Sequence, residues 1–451
     1  MGSSRVTDAP EDLLVYSRDA NVEVSGLPHM VAFPETNSEI STILKLANKY
    51  TVPITPRGAG SGFTGGAVPV CGGLVLAMDR FNKILEIDAE NRLLVVEPGV
   101  VVKTIQDVAD QIGLMYPPDP ASASFSSIGG NIAENAGGIR AVKYGVTKNY
   151  VMGLEIVLPT GEIINTGSKC LKDVVGFNLT ELFVGSEGTL GVITKAILKL
   201  VSKPQARRTM TATFMSMESA SRAVRKIYAS GVRPATLEFM DNFCIELVRK
   251  VAHFSASAGE GALLLIEFDG SNEAGLDHEA GLVEKACEDC DVITFRKAQD
   301  ENEREELWAA RRAISFAQYD YCDEWDDDDV AVPISRIPQL QGSIEELGRK
   351  HSVIVAFFGH YGDGNIHVGV TTGDKQRRVP REFKEELAVA VSRLEGRIAA
   401  EHGIGCLKTN RVHLCLDHAT LRLMRRFKNL LDPNGILNPG KVLPEEIDNA
   451  I

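Results

Sequence analysis

From about residue 200 onward, apolar positions recur every three or four residues in long stretches: "MESASRAVRKIYAS", "DNFCIELVRKVAHF" and "ENEREELWAARRAISFA". That spacing predicts amphipathic helices. Between them stand short β-branched and aromatic runs, "GALLLIEFDG", "DVAVPI", "HSVIVAFFG" and "NIHVGV", which predict strands. The alternation predicts an α+β unit, one sheet with covering helices. Before residue 200 the texture differs. Short strand-like runs ("TVPITP", "GLVLAM", "RLLVVEPG", "MGLEIVLPTGEII") are punctuated by Pro and Gly. One clear helix, "NSEISTILKLANKY", is expected to be capped near Ser38, with Ile40, Ile43, Leu44 and Ala47 on one face. A further helix is expected over "EFKEELAVAVSRLEGRIAAE", ending at Gly403. The tail "LDPNGILNPGKVLP" then returns to loop chemistry.

The 451 residues suffice for two or three domains. A net charge of −13 with no basic run excludes a phosphate-backbone binder. Among eight cysteines, Cys287-x-x-Cys290 lies in an acidic helical stretch with no second pair nearby, so it reads as structural. The run "DDDD" at 326–329 reads as a solvated loop, with cation binding or site shaping as the alternative. The start of the chain has no apolar leader, Val6 breaks a myristoylation pattern, and no apolar stretch is long enough to span a bilayer. The expectation is a soluble, cytoplasmic protein.

Two glycine-rich segments suggest a phosphate-bearing ligand. Gly60 to Gly65 match G-x-G-x-x-G, yet "GAVPVCGG" follows, which excludes the helix that a Rossmann fingerprint requires. A nest of backbone N–H groups fits better, with Arg57 adding charge and Ser61 and Thr64 adding hydroxyls. A second small-residue segment, "SSIGGNIAENAGG" (126–138), is read as a loop of the same character. Two such segments suit the pyrophosphate of a long ligand; two tight structural turns are the alternative.

Residues 359–370 read "GHYGDGNIHVGV". Along one extended strand, His360 and His367 would stand roughly 23 Å apart. "GDGN" is turn chemistry, however, and a reversal there would bring the two onto adjacent strands, Cβ atoms ~5 Å apart. That is metal-ligand geometry, although the segment alone also allows histidines that merely cap a turn.

Taken together and in order, "PRGAGSGFTGG", "PPDPAS", "SIGGNIAENAGG", "KYGVTKNYVMGLEIVLPTGE", "GSEGTLGVIT", "GHYGDGNIHV", "EHGIG" and "LDPNGILNPGK" resemble flavoproteins of the vanillyl-alcohol oxidase type. The narrower resemblance is to FAD-linked D-2-hydroxyacid dehydrogenases, the D-lactate dehydrogenases and the FAD subunit of glycolate oxidase. It runs from near Tyr16 to about Leu443. It implies a PCMH-type FAD-binding domain of two α+β subdomains over 1–200, an α+β substrate domain with an antiparallel sheet over 201–408, and a segment, 409–451, that completes the FAD domain. The pyrophosphate loop then falls on Arg57, Gly58, Ala59, Gly60, Ser61, Gly62, Thr64, Gly65 and Gly66. Further FAD contacts fall on Pro118, Asp119, Ser127, Gly129, Gly130 and Asn131, then on Gly138, Gly145, Glu187, Gly188, Ile193 and Asn438. The first loop holds no His or Cys for a flavin link, so FAD is expected noncovalently.

The resemblance also implies a divalent metal on His360, His367 and Glu401, with His402 as general base and Arg311 binding the substrate carboxylate. Two imidazoles and a carboxylate suit Zn²⁺, Mn²⁺ or Fe²⁺. On the expected helix end, Glu401 and His402 would point about 100° apart, one to metal and one to substrate. A dipole-complementing helix-end charge is the alternative for His402, and a plain surface residue is the alternative for Arg311. Relatives that act on 2-hydroxyglutarate carry a Lys where Asp327 stands and an Asn where Gly369 stands. A short acid, D-lactate or glycolate, is therefore expected. Also open are another 2-hydroxy acid, a noncatalytic FAD-carrying subunit, and a metal-binding protein without flavin. The implied partners are the substrate and an electron acceptor: an electron-transferring flavoprotein, a quinone, a cytochrome, an iron–sulfur subunit or oxygen. A homodimer or larger complex fits the same reading.

Overall fold

A computed structural model describes residues 2–251, 260–322, 324–374 and 377–445. The chain divides into two compact units, one of Met1–Gly138, Gly145–Lys203 and Glu401–Ile451, the other of Ile139–Tyr144 and Pro204–Ala400. The chain leaves the first unit three residues later than the sequence suggested and returns eight earlier. A short excursion at 139–144 also belongs to the second unit.

The first unit holds two main sheets. Val6–Thr7, Met30–Ala32, Leu74–Ala77 and Ile54–Arg57 form a four-stranded sheet, in that order, with the last three strands parallel. Ile84–Asp88, Leu93–Val96, Val192–Lys199, Val151–Val157 and Ile163–Gly167 form an antiparallel sheet of five. The helix Asn37–Tyr50 buries Ile40, Ser41, Leu44 and Ala47. Its cap is Thr36 rather than Ser38, because the Thr36 hydroxyl accepts from the Glu39 N–H and satisfies an orphan donor of the first turn. The C-terminal tail enters the same core. Ile54 N–H donates to Ile436 O and Asn438 N–H donates to Ile54 O. Ile436 and Leu437 are buried there, each worth about 1.5–3 kcal/mol.

The second unit is a seven-stranded antiparallel sheet: Val292–Lys297, Ala206–Phe214, Ala262–Gly270, Thr236–Asp241, Ile354–His360, Asn365–Thr371 and Asp326–Ala331. The helices Met217–Ala229, Glu273–Glu288, Ile337–His351 and Arg381–Arg393 pack on one face around Phe357, Ile366 and Val368. On the other face, Asn242–Val251 and Glu301–Tyr321 pack around Met240, Trp308, Ile314 and Phe358. The helix expected over "DNFCIELVRKVAHF" thus appears as Asn242–Val251, and its last three residues lie outside the described set. Cys287 and Cys290 sit in the core, and burial pushes the Cys287 thiol up to about 12.

Three expectations fail for identifiable reasons. The acidic run 326–329 is not a solvated loop; it forms the edge strand, with Asp328 and Asp329 buried. Successive residues of a strand face opposite ways, and helices cover both faces of this sheet, so the adjacent Asp328 and Asp329 are both buried. The segment 126–138 is not a second loop, since Ile128–Glu134 is helical: Ser127 caps it, while Ile128 and Ile132 bury one face. The helix expected to end at Gly403 spans Arg381–Arg393 and stops there; a later helix, His418–Leu431, follows in the tail. Just past Arg393, Gly396 N–H returns to Val391 O, Glu395 takes φ +60°, and Arg397 pairs through its backbone with Ala331. Glu401 and His402 therefore lie in a loop, and neither the 100° helical separation nor the helix-end alternative for His402 survives.

Candidate functional site

In the second unit, the strands Ile354–His360 and Asn365–Thr371 form the expected hairpin, with His360 opposite Asn365 and His367 opposite Phe358. Gly364 makes the reversal possible. It has φ +83°, and a Cβ there would lie 2.1 Å from Val332 O. The two imidazoles lie on one face with ring centroids 5.2 Å apart and planes at 85°. His360 Nδ1 lies 2.7 Å from Glu238 Oε1, and Arg311 Nε donates to Glu238 Oε2 at 2.8 Å. Glu238 is wholly buried, which by itself would push its carboxyl up. The electrostatic pull of His360 and Arg311, with their hydrogen bonds, overcomes this and holds it below the usual carboxylate range. The Arg311 guanidinium also lies over the Phe358 ring, 5.1 Å from its centroid. Arg312, by contrast, pairs with Glu305 at the surface.

His367 Nδ1 lies 3.7 Å from Asp329 Oδ1. The Asp329 carboxylate accepts from Asn365 Nδ2 at 2.6 Å and from Ala400 N–H at 2.8 Å. Glu401 is the next residue along the chain and opens the first unit's C-terminal segment. An imidazole whose Nδ1 is engaged by a carboxylate presents Nε2, the arrangement that orients a metal-binding histidine. His360 is held in this way by Glu238, and with His367 beside it on the same face the pair suits a borderline divalent cation, so these imidazoles fit the implied metal.

In the first unit, a cleft of about 1290 Å³, open mouth included, lies against the loop from Arg57 to Gly66. Of the expected cofactor residues, Gly58, Ala59, Ser61, Gly62 and Gly66 line it, with Arg57 and Gly60. So do Gly129, Gly130 and Asn131, and Gly188, Glu187 and Ile193 on the far wall. The two glycine segments interlock: Ser127 Oγ accepts from Ala59 N–H at 3.2 Å and from Gly130 N–H at 3.4 Å. A Cβ at Gly58 would strike that hydroxyl. At Gly62 nothing lies nearer than Glu134 Oε1 at 3.7 Å, so a side chain there would stand in the cleft. Arg57 turns inward, donating to Arg18 O and Ala67 O, so it braces the loop rather than lending charge at its mouth.

The remaining expected contacts do not line the cleft. Thr64 Oγ1 donates to His402 O at 3.1 Å, and Gly65 lies beneath Cys406. Pro118 O accepts from Gln106, Asp119 bridges Gly138, and Gly145 lies under Asn149. Asn438 Nδ2 donates to Gly66 O and Glu187 O. Asn131 Nδ2 and Asn438 Oδ1 are buried and, among the described residues, have no partner. An unpaired donor and acceptor, exposed loop amides and a trough cleared of Cβ atoms fit a ligand as long and acceptor-rich as FAD.

The "EHGIG" segment closes one end of this cleft. Glu187 Oε1 and Oε2 accept from Ile404 and Gly405 N–H, each at 2.7 Å. Glu401 and His402 both line the cleft, and the His402 ring lies 5.4 Å from that of Phe63. Nearby, burial together with the charges of Glu187 and Asp19 pushes the Glu134 carboxyl well up, and its Oε2 is sealed without a partner among the described residues. Burial also raises Glu187, against the pull of its two backbone bonds.

Glu238 and Glu134 were not anticipated, and Asp329 only as part of an acidic run for which site shaping was the alternative. A signal existed for the first: a charged residue inside the apolar strand "TLEFM" must be paired if that strand is central. For Asp329 the signal was its place at the head of the strand-like "DVAVPI".

Comparison with known proteins agrees with this architecture. Residues 203–442 match the C-terminal domain of FAD linked oxidases, and residues 28–167 match an FAD binding domain. The glycolate oxidase subunit GlcD of Bacillus subtilis is 40% identical over 449 residues, 99% of this chain and 95% of that one. A D-lactate dehydrogenase of Archaeoglobus fulgidus is 36% identical over 420 residues (92% and 91%), and one of Anaerostipes hadrus 34% over 431 (92% and 89%). In fold, p-cresol methylhydroxylase superposes with a TM-score of 0.78 at 18% identity, covering 98% of this chain and 94% of its own. The 4-ethylphenol oxidase of Gulosibacter chungangensis gives 0.78 at 19%, covering 99% and 95%. Among the described residues no helix is long and apolar enough to cross a membrane. With a PCMH-type FAD-binding fold and relatives this similar along nearly its whole length, the chain is an FAD-dependent oxidoreductase that belongs to the FAD-linked oxidase family of glycolate oxidase subunits and D-lactate dehydrogenases.

Proposed function

We propose that the chain oxidises a short 2-hydroxy acid, D-lactate or glycolate, to the 2-oxo acid, with FAD held noncovalently and a divalent metal (Zn²⁺, Mn²⁺ or Fe²⁺) on His360, His367 and Glu401. The observation that carries this reading is the hairpin that sets two imidazoles on one face beside a carboxylate-anchored arginine. When bound, FAD supplies the acceptor for the hydride that leaves C2 of the acid. A metal at the histidines would supply Lewis-acid polarisation of the 2-hydroxyl, lowering its pKa.

The chain's own groups do the rest. Arg311, fixed through Nε, keeps both Nη groups for the substrate carboxylate. His402, in the cleft on a loop held by Glu187, takes the hydroxyl proton onto a ring nitrogen. Proton and hydride leave the same alcohol, so its carbon becomes a carbonyl and the charges balance.

Anaerobic addition of D-lactate or glycolate to the metal-replete yellow protein should bleach the flavin absorbance, and His402→Ala should slow bleaching by about 10²–10⁴-fold. Flavin that stays oxidised with every short 2-hydroxy acid would end the reading. Bleaching by 2-hydroxyglutarate alone would move the substrate to a longer diacid.

Electrons then pass to a separate acceptor: an electron-transferring flavoprotein, a quinone or an iron–sulfur subunit. Support comes from the apolar stretch in which Val174, Val175 and Phe177 are each more than nine-tenths exposed, as a docking surface would be. A noncatalytic FAD-carrying subunit is the second reading, prompted by the same surface. It predicts that His402→Ala leaves turnover of the assembled complex unchanged.

A further inference from the structure

We infer that Glu238 is a positioning residue whose single buried carboxylate holds the metal-binding His360 and the substrate-binding Arg311 in one fixed arrangement. The inference rests on the proposed function, which gives His360 and Arg311 those roles. Glu238 lies on Thr236–Asp241, a central strand paired with Ala262–Gly270 on one side and Ile354–His360 on the other. In that register it stands directly opposite His360, with no solvent exposure. A carboxylate at such a place costs several kcal/mol unless both oxygens are engaged. Here one oxygen takes His360 Nδ1 at 2.7 Å and the other takes Arg311 Nε at 2.8 Å.

The division of labour sets the chemistry of both partners. A carboxylate only accepts, so His360 carries its proton on Nδ1 and keeps the Nε2 lone pair for a cation. Because Glu238 engages Arg311 through Nε, the two Nη groups are left for an incoming carboxylate. Among the described residues they meet no acceptor. The Phe358 ring beneath the guanidinium fixes its plane. The sheet therefore transmits one rigid distance from the histidine to the arginine, through a residue that touches neither substrate nor cofactor.

Glutamine cannot do this. Its amide has one acceptor end and one donor end, while both partners present N–H. Either Arg311 loses its anchor, or His360 adopts the other tautomer and its Nε2 carries a proton.

The test uses the full-length FAD-loaded protein, stripped of metal with a chelator and titrated with Zn²⁺ against a chromophoric competitor. Glu238→Gln should weaken Zn²⁺ binding by about 10–100-fold and raise the KM for D-lactate by about tenfold or more. Combined with His360→Ala it should cost Zn²⁺ affinity no more than His360→Ala alone. Glu238→Asp keeps the charge, so it guards against a variant that does not fold; too short for both partners, it should lose one of the two effects. If either variant lowers the melting temperature yet keeps wild-type Zn²⁺ affinity and KM, Glu238 is only a core brace and the inference is overturned. If His360→Ala itself binds Zn²⁺ as the wild type does, the metal reading above fails and takes this inference with it.

Discussion

Asn438 joins four stretches of the cofactor unit that are far apart in sequence, and its replacement tests whether that junction shapes the cleft. Its Nδ2 donates to Gly66 O at 2.9 Å and to Glu187 O at 2.7 Å, and the residue is 2% exposed. Glu187 in turn clamps Ile404 and Gly405. Asn438→Ala leaves two buried carbonyls without that donor, at about 1–3 kcal/mol each. The backbone at 438 has φ +43°, a conformation asparagine tolerates and alanine pays roughly 1 kcal/mol to adopt. The total comes to about 4 kcal/mol, or a fall in melting temperature of roughly 10 °C. Spent on reordering the cleft instead, the same energy weakens FAD binding by up to ~10³-fold.

Differential scanning fluorimetry of the apoprotein and quenching of free flavin fluorescence on titration separate the two. Asn438→Asp sharpens the test, since it keeps the size but sets a carboxylate against two carbonyl oxygens. It should do at least as much damage as alanine. A melting temperature within 2 °C of wild type, with unchanged flavin retention, would refute the argument.

Other changes probe the remaining groups. Glu134 is raised by burial and by neighbouring carboxylates, so the folded protein keeps this proton after the unfolded chain has lost it. Its contribution is intact below the ordinary glutamate pKa of about 4.3 and is lost as pH rises towards the elevated folded value. The melting temperature of Glu134→Gln apoprotein should therefore exceed wild type by a margin that grows from pH 4 to pH 8; a pH-independent margin would count against it. Gln318 fills the space over Gly369, where a Cβ would lie 2.2 Å from its Nε2. Gln318→Ala should raise kcat/KM for 2-hydroxy acids longer by one methylene, relative to D-lactate, by about tenfold. An unaltered preference would mean that this side chain does not limit substrate length. Leu437→Ala, in the core that the tail helps to build, should cost about 2–5 kcal/mol by chemical denaturation.

Much of the site was legible in the sequence because its chemistry is local. The strand–turn–strand pattern of "AFFGHYGDGNIHVGV" carries its own reversal, and the glycines of "RGAGSGFTGG" announce a loop that cannot become a helix. Residues that lie next to each other in such motifs reach their places by short-range rules.

What the sequence could not declare is how distant segments meet. The apolar spacing through "LAVAVSRLEGRIAAE" reads as continuous helix. Only the pairing of Arg397 with Ala331 ends it early and puts Glu401 and His402 in a loop. Four adjacent aspartates look solvated until the edge of a sheet buries two of them and sets Asp329 against Asn365 and Ala400. Glu238 carries no local sign of its partners, which lie 73 and 122 residues further along. Periodicity and turn chemistry fix which elements form. Which buried charge faces which partner is settled by sheet register, because an unpaired charge is intolerable only once the neighbours that exclude water are in place.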